Sequence, residues 1–267
     1  MQNDMPTSRN SGARNDREAS RTGDTGGWER KPFPKNDRSG REISPGAFIV
    51  LCDFDGTVST TDVGNRMFAR FADDGWERVV QRWKDGQIGS RDCLVAECDL
   101  ARATPEQVRA FALTREIDPH FKPFEKFCRD RSVDVIILSD GLDFYIDLLL
   151  EKYDLEHLSR FANHLEFRGD RLIPGFPYFE LGCRQCGNCK GYHVRRYQRQ
   201  GRTVIYIGDG FSDRCGVEEA DHVFAKGDLL RYCQEQGIDH RPFDDFRDIL
   251  KEVRTLLPEE SCGRGAR

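Results

Sequence analysis

The stretch FIVLCDFDGTVSTTD, residues Phe48 to Asp62, decides how the rest of the chain is read. Five apolar residues run directly into Asp53 and Asp55, and Gly56 and Thr57 follow. A short, continuous apolar run of this kind is a strand buried on both faces, as in a parallel sheet. Two carboxylates one residue apart at the end of such a strand repel each other, so something must compensate them. A divalent cation would do so, and so would a phosphate transfer that uses one carboxylate as nucleophile and the other as acid.

Further along, the same pattern recurs. VDVIILSDG (residues 133–141) is a second strand ending in a turn, with the helix LDFYIDLLLEKY after it. FANHLEF (161–167) reads as a third strand, RTVIYIGDG (202–210) as a fourth and DHVFAK (221–226) as a short fifth. Strand and helix alternate, so the expected fold is an α/β, doubly wound parallel sheet. Asp53-Phe54-Asp55, Ser139-Asp140-Gly141 and Gly208-Asp209-Gly210 all lie at strand ends, and parallel strands would bring them to one edge. Residues 62–120 carry helical periodicity and no strand. A block inserted there would sit over that edge as a helical cap that excludes water.

The ends of the chain differ from its middle. Residues 1–44 are polar and rich in Gly and Ser, and segments of that composition do not bury enough apolar surface to offset their ordering entropy. Both this segment and 258–267 are expected to be disordered tails. The expected core comprises 45–61 and 121–257, with a small cysteine-containing flap at 168–192. Of the 267 residues, 37% are hydrophobic and 33% charged, with a net charge of -5. No run approaches the about 18 apolar residues of a membrane span. The acidic balance points away from nucleic acid as a partner. With no apolar leader in the sequence, a cytoplasmic location is expected. Nothing in the residues specifies an oligomeric state.

Asp53-Phe54-Asp55-Gly56-Thr57, Ser139, Lys190 and Gly208-Asp209-Gly210-Phe211-Ser212-Asp213 resemble, in order, the four motifs of the haloacid dehalogenase (HAD) superfamily of phosphatases. The resemblance implies a Rossmann-like core and a magnesium ion held by Asp53, Asp55 (through its backbone carbonyl) and Asp209. It makes Asp53 the nucleophile and Asp55 the acid and base. Thr57, Ser139, Asp140, Gly141 and Lys190 would bind phosphate, and Asp213 would orient Lys190 or a metal-bound water. Each residue also has a plainer reading: an Asx-turn for the aspartate pair, a helix cap for Ser139, a surface lysine for Lys190, first-turn charge for Asp213. A non-catalytic binding module would keep such a fold, but it has no use for a general acid.

The chain is similar, more narrowly, to the MtnX-type phosphatases of L-methionine salvage, which act on 2-hydroxy-3-keto-5-methylthiopentenyl-1-phosphate. LSDGLDFYIDLLL, NHLEF, CGNCK and FAKGDLLRYCQEQGIDHRPFDDFRDILKEV carry that likeness. The substrate implied is a small phosphate monoester. The related phosphoserine phosphatases are the alternative. In those enzymes an early acid in the cap binds the substrate amine, the place taken here by Asp62, which also suits a helix N-cap. A later arginine binds the substrate carboxylate, and by spacing Glu97 stands there, where it would repel a carboxylate.

Ten cysteines are present. Cys52, Cys93, Cys98, Cys128, Cys215 and Cys233 lie among apolar or helical residues and read as small buried hydrophobes. Cys183, Cys186 and Cys189 fall at three-residue intervals just before Lys190, a spacing that suits zinc, with His193 or His164 as fourth ligand. The plainer account is three thiols packing a tight loop. Trp76 and Trp83, seven residues apart, read as a core stripe of the cap.

Overall fold

A computed structural model describes residues 47–257. The expected tails at 1–44 and 258–267 lie outside the described residues. β1 (Phe48–Cys52) is buried at every position and occupies the middle of a seven-stranded sheet. It pairs in parallel with β2 (Asp134–Leu142) on one side and with β5 (Thr203–Gly208) on the other. β3 (Arg160–Arg168) extends the sheet beyond β2, and β6 (His222–Ala225) extends it beyond β5, both parallel. The run of apolar residues in β1 is thus explained: the strand has neighbours on both edges and covered faces on both sides.

Two strands were not expected from the sequence. β4 (Arg171–Gly175) returns antiparallel along β3, and the two-residue β7 (Arg241–Pro242) closes the other edge. β4 contains Pro174 and Gly175 and runs polar and apolar together, so periodicity gives it little signal. As an edge strand it tolerates a proline, whose missing donor faces outward. The order is β4-β3-β2-β1-β5-β6-β7, an α/β doubly wound sheet. The chain winds outward from β1 in one direction, then returns to β5 and winds outward in the other. Ligands bind beyond the carboxyl ends of the strands at such a reversal.

One face of the sheet packs Ile49, Leu51, Leu138 and Tyr206 against Val194, Leu229 and Cys233. These come from α7 (Lys190–Arg199) and α9 (Gly227–Gln236). The alternate residues Val50, Cys52, Ile137, Ile205 and Ile207 point to the opposite face and are equally buried. α5 (Phe121–Arg129) and α10 (Phe246–Leu256) meet through Phe121, Phe124 and Phe246, with ring centroids 4.9 and 5.2 Å from Phe246. α6 (Asp143–Lys152) leads from β2 towards β3, and the one-turn α8 (Arg214–Val217) follows β5.

Four helices separate β1 from β2: α1 (Val63–Phe71), α2 (Trp76–Lys84), α3 (Ser90–Leu100) and α4 (Pro105–Ala112). The two ends of this insertion lie side by side, since Asp118 N–H donates to the Val58 carbonyl at 2.8 Å and Thr60 N–H to the Glu116 carbonyl at 3.0 Å. α4 starts where its sequence dictates: Thr104 and Gln107 form a capping box, and Pro105 takes the first helical position. α2 has no buried residue, and both Trp76 and Trp83 are half-exposed. The core stripe expected of these tryptophans is therefore absent. Trp83 instead meets Phe211 of the core edge to face, with centroids 5.0 Å apart. No helix among the described residues is long and apolar enough to cross a membrane.

Candidate active site

The carboxyl ends of β1, β2 and β5 bring Asp53, Asp55, Ser139, Asp140, Gly141 and Asp209 to the wall of one cavity of about 360 Å³. Beyond Asp53 the backbone makes a tight turn over residues 54–58, closed by the Ser59 amide donating to the Phe54 carbonyl at 2.9 Å. The turn needs Gly56, at φ +75°, where a Cβ would also lie 2.4 Å from Asp209 Oδ2. It turns Asp53 and Asp55 into different surroundings, which gives two neighbouring carboxylates different chemistry.

Asp53 is buried and faces Lys190, whose ammonium donates to Asp53 Oδ1. Lys190 is only 1% exposed, so it is no surface lysine. Its ammonium also donates to Asp213 Oδ1 at 2.6 Å and to Ser212 Oγ at 3.1 Å. The two carboxylates raise its pKa despite its burial. Asp213 has every lone pair engaged: Tyr206 O–H donates to Oδ1 at 2.7 Å, and the Asp209 and Gly210 amides donate to Oδ2 at 3.0 and 2.9 Å. Asp213 therefore positions Lys190 and shapes the loop that carries Asp209.

Thr57 Oγ1 lies 3.3 Å from Asp53 Oδ2 and 3.1 Å from Asp209 Oδ1, so these two carboxylates converge. Burial, then the Asp213 charge, pushes the Asp53 pKa well above the usual range. The same two causes raise Asp209 to about 6. Oxygens of Asp53, Asp209 and Asp213 all lie within 4.8 Å of one another. Three carboxylates against one lysine leave two negative charges in excess, and a hard dication with oxygen ligands fits that excess. With the oxygens of Asp213 engaged, Asp53 and Asp209 are the side chains left to hold it.

Asp55 is set apart from this cluster. Its Oδ1 accepts from the Val63 amide at 2.8 Å and the Gly64 amide at 3.3 Å, the first turn of α1. Its Oδ2 accepts from Tyr145 O–H at 2.5 Å. Burial, then the Asp62 charge, raises its pKa to about 7, with the hydrogen bonds opposing. A carboxylic acid with that pKa donates and accepts protons near neutrality. Tyr145 was missed from the sequence because it sits in an apolar helical run. A sign of its role is Gly141, where a Cβ would come within 2.0 Å of Tyr145 Oη and 2.5 Å of Asp55 Oδ2.

Ser139 Oγ accepts from the Gly141 amide at 2.9 Å rather than capping α6 through its side chain. The Asp140 carboxylate holds the Asn188 amide at 2.8 Å and the Asn163 side chain at 3.1 Å. Asn188, also unanticipated, donates to the Ser139 and Phe161 carbonyls at 2.9 and 3.0 Å, tying the β2 end to the turn before Lys190. Asp62 does both things its position allows: it caps α1 through the Asn65 amide at 2.7 Å and lines the cavity.

Glu97 lines the cavity too. Burial, opposed by a hydrogen bond from the Cys93 thiol, raises its pKa to about 8, which favours the protonated form near neutrality and weakens the expected repulsion of a carboxylate. Arg91 and Arg102 do not replace it: Arg91 lies over Phe176 and Phe179, and Arg102 donates to the Asp99 and Ala101 carbonyls. Among the described residues no arginine lines the cavity.

A doubly wound sheet whose central strand ends in paired aspartates, with a buried lysine and a third aspartate from neighbouring segments, defines a phosphatase of the HAD type. The chain belongs to the Putative Phosphatase family, whose sequence model matches residues 48–230. It is 30% identical over 230 residues to the 2-hydroxy-3-keto-5-methylthiopentenyl-1-phosphate phosphatase of Bacillus velezensis, covering 80% of this chain and 96% of that one. It is also 30% identical over 225 residues to Pdp3-interacting factor 1 of Schizosaccharomyces pombe, covering 78% and 95%. A solved phosphoserine phosphatase carrying a phospho-aspartyl intermediate analogue has the same fold, with a TM-score of 0.60, 21% identity and coverage of 76% and 97%.

Proposed function

We propose that the chain is a magnesium-dependent phosphomonoesterase that works through a phosphorylated Asp53 on a small, carboxylate-free phosphometabolite. The best candidate is 2-hydroxy-3-keto-5-methylthiopentenyl-1-phosphate of L-methionine salvage, the substrate in the names of relatives such as those of Brevibacillus brevis and Bacillus velezensis. In this reading Asp53 attacks phosphorus and the ester P–O bond breaks. Asp55 gives its proton to the departing oxygen. Water then attacks the phosphorus of phospho-Asp53, with Asp55 taking its proton, and phosphate leaves. Lys190, Thr57 and Ser139, with the Asp140–Gly141 backbone, hold the phosphoryl oxygens. Asp53, Asp209 and the Asp55 carbonyl would hold magnesium, which when bound would neutralise phosphoryl charge.

The observation that carries the choice of substrate is the cavity wall. A substrate carboxylate is held best by the paired donors of an arginine, and among the described residues the wall offers none: its one cation is Lys84 on α2, and Glu97 stands there as an acid whose protonated form burial favours. A protonated acid suits a keto or hydroxyl oxygen. Phosphoserine is the second reading, favoured by Asp62, whose carboxylate faces the cavity where an ammonium would bind. Losing a charge-assisted arginine contact removes about 1.5–3 kcal/mol, roughly ten- to a hundredfold. Comparison of kcat/KM for the two substrates tests the choice. The methionine-salvage phosphate is expected to win by at least about tenfold, and a preference of that size for phosphoserine overturns it.

A further inference from the structure

The cysteine-rich turn before α7 does not stand alone. Cys183, Cys186 and Cys189 place their sulfurs within 4.8 Å of one another. Cys215 arrives from a separate segment, the first turn of α8, and its thiol interacts with those of Cys186 and Cys189. Gly191 allows the two segments to approach, for a Cβ there would meet the Cys215 carbonyl oxygen at 2.5 Å. All four are free thiols, and Cys215 is half-exposed, not the buried hydrophobe its apolar neighbours suggested. The turn points its own amide at sulfur, with Cys186 N–H donating to Cys183 Sγ at 3.4 Å. Such bonds favour a negatively charged sulfur.

Each of the two histidines expected to complete the set has one ring nitrogen paired elsewhere, while His193 Nδ1 is buried without a hydrogen-bond partner among the described residues. His193 Nε2 pairs with Asn188 Oδ1 at 2.7 Å, and its ring stacks on Phe161 with centroids 4.5 Å apart. His164 Nδ1 pairs with Asp143 at 2.8 Å. We infer that Cys183, Cys186, Cys189 and Cys215 form a tetrathiolate zinc site joining the turn before Lys190 to the turn after Asp213. Zinc takes four thiolates tetrahedrally at about 2.3 Å, which sets sulfurs about 3.8 Å apart. The sulfurs of Cys183, Cys186 and Cys189, within 4.8 Å of one another, would draw in by about 1 Å at most, and Cys215 would close the shell from its contacts with Cys186 and Cys189. Binding releases the four thiol protons and transfers no electrons.

The site would fix geometry without entering the reaction. Cys189 directly precedes Lys190, and Cys215 lies two residues past Asp213, so the metal cross-links the two ends of the Lys190–Asp213 ion pair. The same turn grips α3 of the insertion. The Gly187 amide donates to Ser90 Oγ at 3.1 Å and the Arg91 amide to the Gln185 carbonyl at 3.2 Å.

The test is metal analysis of the full chain, purified reduced and without chelator, then dialysed against magnesium. About one zinc per chain is expected, retained by the Asp53→Asn/Asp209→Asn double variant and lost by Cys186→Ser and by Cys215→Ser. Zinc-edge X-ray absorption on the unaltered chain gives a second reading that does not depend on how the serine variants fold, with four sulfurs at about 2.3 Å expected. Cobalt in place of zinc is expected to show sulfur-to-metal charge transfer and intense tetrahedral d–d bands. A reduced chain that retains no zinc overturns the site. So does a shell of three sulfurs and one nitrogen, or zinc kept at full occupancy by Cys215→Ser.

Discussion

Replacing Tyr145 with Phe removes one hydroxyl and tests how Asp55 is tuned. Asp55 holds three hydrogen bonds, and the one from Tyr145 is its shortest at 2.5 Å. Burial and the Asp55 charge hold the phenol well above its usual pKa, so it stays a donor at every working pH. A hydrogen bond to an ionised group is worth about 1.5–3 kcal/mol and to a neutral one about 0.5–1.5. The difference, about 1–1.5 kcal/mol, favours ionised Asp55 and corresponds to about one pKa unit at 1.36 kcal/mol each. Its loss therefore moves the Asp55 pKa upwards from about 7, to about 8. Leaving-group protonation needs the acid form, so kcat/KM falls as pH rises through this pKa. The falling limb is expected near pH 7 in the unaltered enzyme and about one unit higher in Tyr145→Phe. The assay is the pH profile of kcat/KM for an alkyl phosphate. p-Nitrophenyl phosphate is the control, since its leaving group departs without a proton. A limb in the same place in a folded Tyr145→Phe enzyme refutes the reasoning.

Other substitutions probe the remaining parts. Asp53→Asn is expected to keep the fold and reduce magnesium-dependent phosphate release to background, because an amide is a poor nucleophile and ligand; near-normal turnover would remove Asp53 from its role. Gly141→Ala drives a methyl group against Tyr145 Oη and Asp55 Oδ2, and a displacement of about 1 Å at the acid is expected to lower kcat on the order of a hundredfold; steady-state kinetics checks it. In Asp213→Asn an amide faces Lys190, Tyr206 and two backbone donors, so urea unfolding should show a loss of about 3–5 kcal/mol; a loss below about 1 kcal/mol would mean the pair is not what holds Lys190. Chelation by EDTA should abolish activity and excess magnesium restore it, as phosphate release would record.

The sheet was legible because β1, β2 and β5 are continuous apolar runs that end in aspartates or serine, a pattern that buried parallel strands impose. The positions of Asp53, Asp55 and Asp209 in the cavity follow from those strand ends, whereas Lys190 starts α7 and is buried against Asp53 and Asp213. Tyr145 and Asn188 were hidden for a different reason. Each acts through contacts across long stretches of sequence, Tyr145 to Asp55 and Asn188 to Ser139 and Phe161, and neither breaks a local pattern. Cys215 was misread because its partners lie more than twenty residues away. Glu97 was placed in the cavity by spacing alone, but its protonation depends on burial, which spacing does not carry. Trp83 failed the opposite way: a seven-residue interval signals a shared helix face without saying whether that face meets a core or a cavity.

β1 and α2 differ in how their amides would trade hydrogen for deuterium. Every residue of β1 is buried and the strand is paired along both edges, so its amides are expected to exchange only when the whole domain unfolds. α2 buries no residue completely, and its amides exchange through small local openings at far lower free energy. Asp53, the proposed nucleophile, thus hangs from the strand expected to exchange slowest, while Trp83 and Lys84 of the cavity wall ride on a helix expected to exchange faster. Openings of α2 would then admit a substrate while leaving the carboxyl end of β1 undisturbed.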